Sequence, residues 1–236
     1  MTPTVGTDVW YARHTVPDGG VVLVGVAGPG FPDGAVVDLP GPPAHPTGWL
    51  AEAHVRDAGH VPVLVRVSPD LAPGSPHLWF TLGPAGAGDA VDLVAFSTTA
   101  LADGRVVPAA DLADAGVTWA DQVAAVRWSP SSGLVSQVYV APRARRRRVG
   151  TRVVITADAV RVALGWAPLV SDGRVTDLGD AWLSAQSEAW RARVPAGGER
   201  PPPMTPEDEA IGLPTRLLVR DEPTASARTN RVGHCR

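Results

Sequence analysis

The stretch that most restricts the fold of this chain runs from Leu134 to Trp166. It opens with a β-branched run, Leu134 to Ala141, and leaves it through Pro142. Six arginines then fall within ten positions: Arg143, Arg145, Arg146, Arg147, Arg148 and Arg152. From Val149 the apolar residues Val153, Val154, Ala157, Val160 and Leu164 recur at steps of three and four, which predicts a helix, and Gly165 is a natural stop. A short strand candidate, Ala167 to Ser171, follows directly. The chain must therefore place a strand, a basic loop, a helix and another strand in immediate succession.

The first half reads as strands in series. Val21 to Val26, Val61 to Val67, His77 to Leu82, Val91 to Phe96 and Val123 to Trp128 are β-rich runs. Turn signals such as Gly28-Pro29-Gly30, Ser68-Pro69-Asp70 and Ser129-Pro130-Ser131-Ser132-Gly133 separate them. Thr47 to Ala58 reads as a helix with a Thr cap and a stop at Gly59, Ala109 to Ala115 as one or two helical turns, and Asp177 to Trp190 as an amphipathic helix. The fold class is α/β or α+β, with a mixed, mostly antiparallel central sheet and flanking helices. Residues 1–194 form the domain. From 195 to 236 the composition changes at Gly197-Gly198-Glu199-Arg200-Pro201-Pro202-Pro203, and the remainder reads as a tail with one added strand candidate, Thr215 to Val219.

Composition excludes several classes. No apolar run approaches the roughly 18–20 residues that span a bilayer, so a membrane partner is not expected. The N-terminus has neither the basic segment nor the apolar core of a secretory signal, and Cys235 is the single cysteine, which together suggest a reducing cytoplasm. A net charge of −3 argues against a protein that coats nucleic acid. A homodimer is left open.

The basic loop suggests its own chemistry. A helix start presents unpaired N–H groups and the positive end of the helix dipole, so a loop that feeds into one binds anions readily. Gly150 lets backbone come close to a phosphate, and the guanidinium groups add charge-assisted contacts. Two other readings stand beside this one: a solvated charge run at a helix start, which the helix dipole disfavours, and contact with nucleic acid.

The run from Leu134 to Thr151 resembles motif A of the GNAT N-acyltransferase family, in which a strand ending in Tyr-Val-x-Pro leads into Arg/Gln-x-x-Gly-x-Gly/Ala and a long helix. The resemblance implies that Val138, Tyr139 and Val140 hold the pantetheine arm of acetyl-CoA. It also implies that Arg145, Arg146, Arg147, Arg148, Val149, Gly150 and Thr151 surround its pyrophosphate. Arg145 matches the leading Arg/Gln and Gly150 the second glycine; Arg148 stands where the family has the first glycine, and is read here as part of the first helical turn. Ala167 to Ser171 matches the strand that splays away to open the cofactor cleft. The implied activity is direct transfer of an acetyl group from acetyl-CoA to an amine of unspecified identity, the alternative being an inactive module that binds CoA or another protein. Two departures concern catalysis: Gln137 stands where some relatives carry a Glu base, and no Tyr follows the splayed strand.

Asp172 and Asp177 are the candidates for a catalytic base, and Asp180 lies close by; turn and helix-cap roles compete for the same residues. Glu52 and His54, on the expected Thr47 to Ala58 helix, are expected at the surface. Trp49 and Trp182 are candidates to line an acceptor pocket. The other histidines show no metal-ligand spacing.

Overall fold

The computed structural model describes residues 8–57, 59–86, 88–185, 191 and 193–195. Two sheets enclose one helix. The first contains β1 (Val9–Thr15), β2 (Val21–Ala27), β3 (Val36–Asp38), β4 (Trp49–Val55) and β5 (Leu64–Val67), in the order β3-β1-β2-β4-β5. The second contains β6 (Trp79–Pro84), β7 (Val91–Phe96), β8 (Val106–Pro108), β9 (Gln122–Trp128), β10 (Leu134–Val140) and β11 (Val170–Ser171), in the order β11-β10-β9-β7-β6-β8. Pairing is antiparallel except at three rim strands: β3 along β1, β8 along β6 and β11 along β10. The sheets join at one rim, where Val65 N donates to Gly104 O at 2.8 Å and Val106 N to Val63 O at 3.2 Å.

Between the sheets runs α1 (Val149–Ala163), which touches β2, β4 and β5 on one side and β7, β9 and β10 on the other. Every residue of α1 except Gly150 is buried. Close approach is possible because the strands it meets present small side chains; Ala51, Ala53 and Ala124 are fully buried in the shared core. Most polar groups of α1 have a partner, as burial demands, the exception being Arg161 Nη2, which is buried without one among the described residues. Thr156 Oγ1 donates to Arg152 O at 2.9 Å, and Arg152 reaches Pro76 O at 2.8 Å and Asp103 at 2.6 Å. Asp158 takes the Tyr11 hydroxyl at 2.5 Å, Arg161 at 2.9 Å and Arg193 at 3.2 Å.

The outer face of each sheet has its own cover. Residues 39–48 strap across the first sheet from β3 to β4 over Ala12, Val22, Val24 and Val26. On the second sheet, Trp79, Val94 and Phe96 lie under Leu112 and Trp119, carried by the short 3-10 helices Ala109–Ala115 and Trp119–Asp121.

Several sequence expectations change. Thr47 to Ala58 is not a helix; its centre is β4, hydrogen-bonded on both sides to β2 and β5. Ala and Glu favour helix in isolation, but Ala51, Ala53 and Val55 face α1 while Glu52 and His54 lie on the opposite face of the sheet, which is a strand's period of two. Strands β1, β3 and β8 were not anticipated. The central element is the helix, with sheets flanking it, rather than one sheet flanked by helices. The last helix, α2, is Asp177–Ser184, and the rest of the expected Asp177 to Trp190 run lies almost wholly outside the described residues, as do 196–236.

Candidate anion-binding site

Three segments meet at the start of α1. β10 delivers the chain through the 3-10 turn Pro142–Ala144, whose Arg143 is fixed by Nη2 donating to Ala120 O at 3.2 Å and Gln122 O at 2.9 Å. Arg145 Nε donates to Val140 O at 3.2 Å. Arg146, Arg147 and Arg148 are exposed and have no partner among the described residues.

The backbone of this loop differs from the sequence expectation at one residue. Arg148 is not within the first helical turn; it is the residue before it, at φ 61°, in the left-handed region that costs a non-glycine residue roughly 1–2 kcal/mol. Arg146 also sits at φ 59°. Left-handed residues beside right-handed ones turn successive N–H groups toward one side, a concavity that suits an anion. The Arg148 side chain makes no cap hydrogen bond to the helix start. Gly150 lies in the first turn, where an added Cβ would meet Val140 Cγ2 at 3.5 Å and Trp182 Nε1 at 3.8 Å, ordinary contacts for a small group.

Beside the loop the edge of β10 is open. β11 pairs with it only at Leu134 and Val135, so among the described residues Val138 to Val140 have no strand on that side, and Val138 is 47% exposed. Tyr139 points to the core. Trp182 from α2 leans over the helix start, its Nε1 donating to Thr151 Oγ1 at 3.1 Å. Val138, Val140, Arg145 to Arg148, Gly150 and Thr151 thus lie along the end of β10 and the loop that opens α1. The carboxylates are less clear-cut. Asp172 is exposed and its Oδ1 accepts from Arg174 N at 2.9 Å, a turn role, and the Asp177 side chain lies outside the described residues.

On the other flank of the loop lies a cleft of about 390 Å³ lined by Pro76, Ser97, Thr98, Asp121, Val123, Arg143, Ala144 and Arg147. Sequence reading missed it, because its walls come from four separated segments and no spacing along the chain links them.

Sequence reading also missed a cluster on the far sheet. Glu52 is buried, not exposed, and its two oxygens take His45 Nε2 from the strap and His54 Nε2 from its own strand. Arg66 stands at 3.3 Å, and His45 stacks on Trp49 with ring centroids 4.0 Å apart. Burial alone pushes the Glu52 carboxyl up, and the hydrogen bonds from His54 and His45 outweigh it, holding it below the usual carboxylate range. Trp49 therefore belongs to this cluster, on the opposite face of the first sheet from α1. No group of three or more metal-ligating side chains able to hold an ion occurs among the described residues.

The chain matches no family model, no curated protein and no solved structure. The start of α1 combines an N-cap without a side-chain cap bond, two left-handed residues, three exposed guanidinium groups and, among the described residues, an open strand edge leading to them. Chemically, that set offers hydrogen-bond donors and positive charge to an anion.

Proposed function

We propose that the chain binds CoA thioesters at the start of α1 and transfers their acyl group to an amine, as the GNAT resemblance implies. One observation carries the reading. The pairing of β10 with β11 ends at Val135, so among the described residues an unpaired strand edge leads from the middle of β10 to the turn at Val149, whose N-cap side chain makes no cap hydrogen bond. An extended pantetheine arm can pair along such an edge as a strand would, and the pyrophosphate then meets the helix start. The chain's own part is to fix that arm on Val138 and Val140, to neutralise the pyrophosphate with Arg146 and Arg148, and to hold Trp182 against the first turn. CoA supplies the activated thioester.

The second reading, a module that binds CoA without transfer, is favoured by Trp182 filling space above Gly150 and by Gln137, which is not basic at neutral pH. Turnover separates the two.

The test is binding. CoA at millimolar concentration should raise the melting temperature, since a ligand selective for the folded state stabilises it by mass action. Gly150→Val should abolish most of that shift, whereas Arg146→Ala should cost on the order of 1 kcal/mol or less because exposed guanidinium groups substitute for one another. The melting temperature of Gly150→Val without ligand shows whether crowding against Val140 has altered the fold itself. No shift for the parent protein at millimolar CoA overturns the reading. A shift that survives Gly150→Val but vanishes in salt makes the loop a nonspecific polyanion patch.

A further inference from the structure

The cleft beside the arginine loop has a donor that its own surroundings leave unused. Thr98 Oγ1 accepts from Trp79 Nε1 at 3.0 Å and from Ala100 N at 3.5 Å. With both lone pairs engaged, its proton must be donated elsewhere. Trp79 is wholly buried, so this orientation is built into the core. Arg143 stands on the same cleft with its guanidinium already immobilised on two carbonyl oxygens, and Arg147 is free to turn in. Two cations and a directed hydroxyl, with Ser97 adjacent, select an anionic group. Asp121 adds an acceptor; one of its oxygens is held by Thr118 N at 2.9 Å and Thr118 Oγ1 at 3.1 Å. An acceptor next to an anion subsite suits a ligand that carries hydroxyl or amino donors beside a phosphate. The cleft's volume, about 390 Å³, exceeds what a lone phosphate fills and lies in the range of about 300–1,000 Å³ common to small-molecule sites.

We propose that this cleft receives the 3′-phosphorylated ribose of CoA, with Arg147, Arg143 and Thr98 on the phosphate and Asp121 on the hydroxyl or amino donors of the nucleoside, and so makes the site selective for free CoA thioesters over donors that lack this phosphate. The inference rests on the CoA reading above. Arg147 links the two, since it lines the cleft and lies two residues before the first turn of α1.

Calorimetry with CoA and with dephospho-CoA, which has a hydroxyl in place of the 3′-phosphate, tests it on the full chain. The parent protein should bind CoA at least ten-fold tighter than dephospho-CoA. Arg147→Ala should weaken CoA by about ten-fold and dephospho-CoA by less than three-fold, and Thr98→Val should do the same while Thr98→Ser retains the preference. Thr98→Val removes an acceptor from Trp79, so its melting curve is recorded first; Arg147 is exposed, and Arg147→Ala carries the test if the Thr98 variant does not fold. Equal affinity of the parent protein for both ligands overturns this subsite and leaves the CoA reading standing. Arg147→Ala weakening both ligands alike also overturns it, by assigning Arg147 to the pyrophosphate. Binding of neither ligand overturns both proposals.

Discussion

At the scale of single residues, the least ordinary feature is a carboxylate, Asp158, in the middle of a buried helix. It persists because a hydroxyl and two guanidinium groups converge on it from three parts of the chain. The Tyr11 hydroxyl is held well above its ordinary pKa, chiefly by burial and then by the Asp158 charge. A folded-state pKa above the unfolded value favours the neutral phenol, so this contribution is complete below about pH 10 and is lost as pH rises beyond it. Tyr11→Phe should cost about 1.5–3 kcal/mol at neutral pH and flatten the alkaline fall in stability, measured by urea unfolding across pH. A variant as stable as the parent would show the hydroxyl to be dispensable. Arg148 allows a test of opposite sign. Glycine adopts its left-handed φ without strain, so Arg148→Gly should stabilise by about 1 kcal/mol, or roughly 2–4 °C in melting temperature. A lower melting temperature would mean that the arginine side chain contributes packing that outweighs the strain.

At the scale of elements, the strap over the first sheet hangs on two histidine contacts: His14 Nδ1 with Gly41 O at 3.1 Å, and His45 with Glu52. Because Glu52 has a lowered pKa when folded, its contribution is present above the ordinary glutamate range and lost as pH falls through its folded value. Glu52→Gln should therefore flatten the acid limb of the stability curve and speed amide exchange at Ala44, His45 and Thr47. Unchanged exchange there would show that the strap is held by Leu39 and its prolines alone. These contacts also mark what sequence reading can reach. The basic loop and α1 were legible because their signals are contiguous: a β-branched run, a proline, arginines and a helical period. β4 was misread because Ala51 and Ala53 are good helix formers chosen for size, to let α1 approach, and local propensity does not register that tertiary demand. His45 and Glu52 were not paired in advance, since only the strap's path brings them together. The cleft was invisible for the same reason in stronger form.

For the whole molecule, Arg193 connects what the elements separate. Its guanidinium reaches Asp158 on α1 and Asp33 between β2 and β3, both at 3.2 Å, and its carbonyl accepts from Ser171 N of β11 at 3.2 Å. Arg193→Ala should cost about 2–3 kcal/mol, because Asp158 loses one of two buried cations but keeps the other. Asp33→Ala should cost less than about 1 kcal/mol, that carboxylate being 47% exposed. Equal effects of the two in urea unfolding would place the weight of the contact at the surface. The position of α1 between the sheets has a consequence for how the chain reaches this state. By residue 140 all strands except β11 have been synthesised, yet the helix that forms their common interior spans 149–163. A nascent chain therefore carries two incomplete sheets with their apolar inner faces unfilled, and these contacts join residues far apart in sequence, which slows folding and lengthens exposure to aggregation. Synthesis in a cell should recruit holding chaperones up to the point where α1 emerges, and a fragment ending at Arg145 should be insoluble alone.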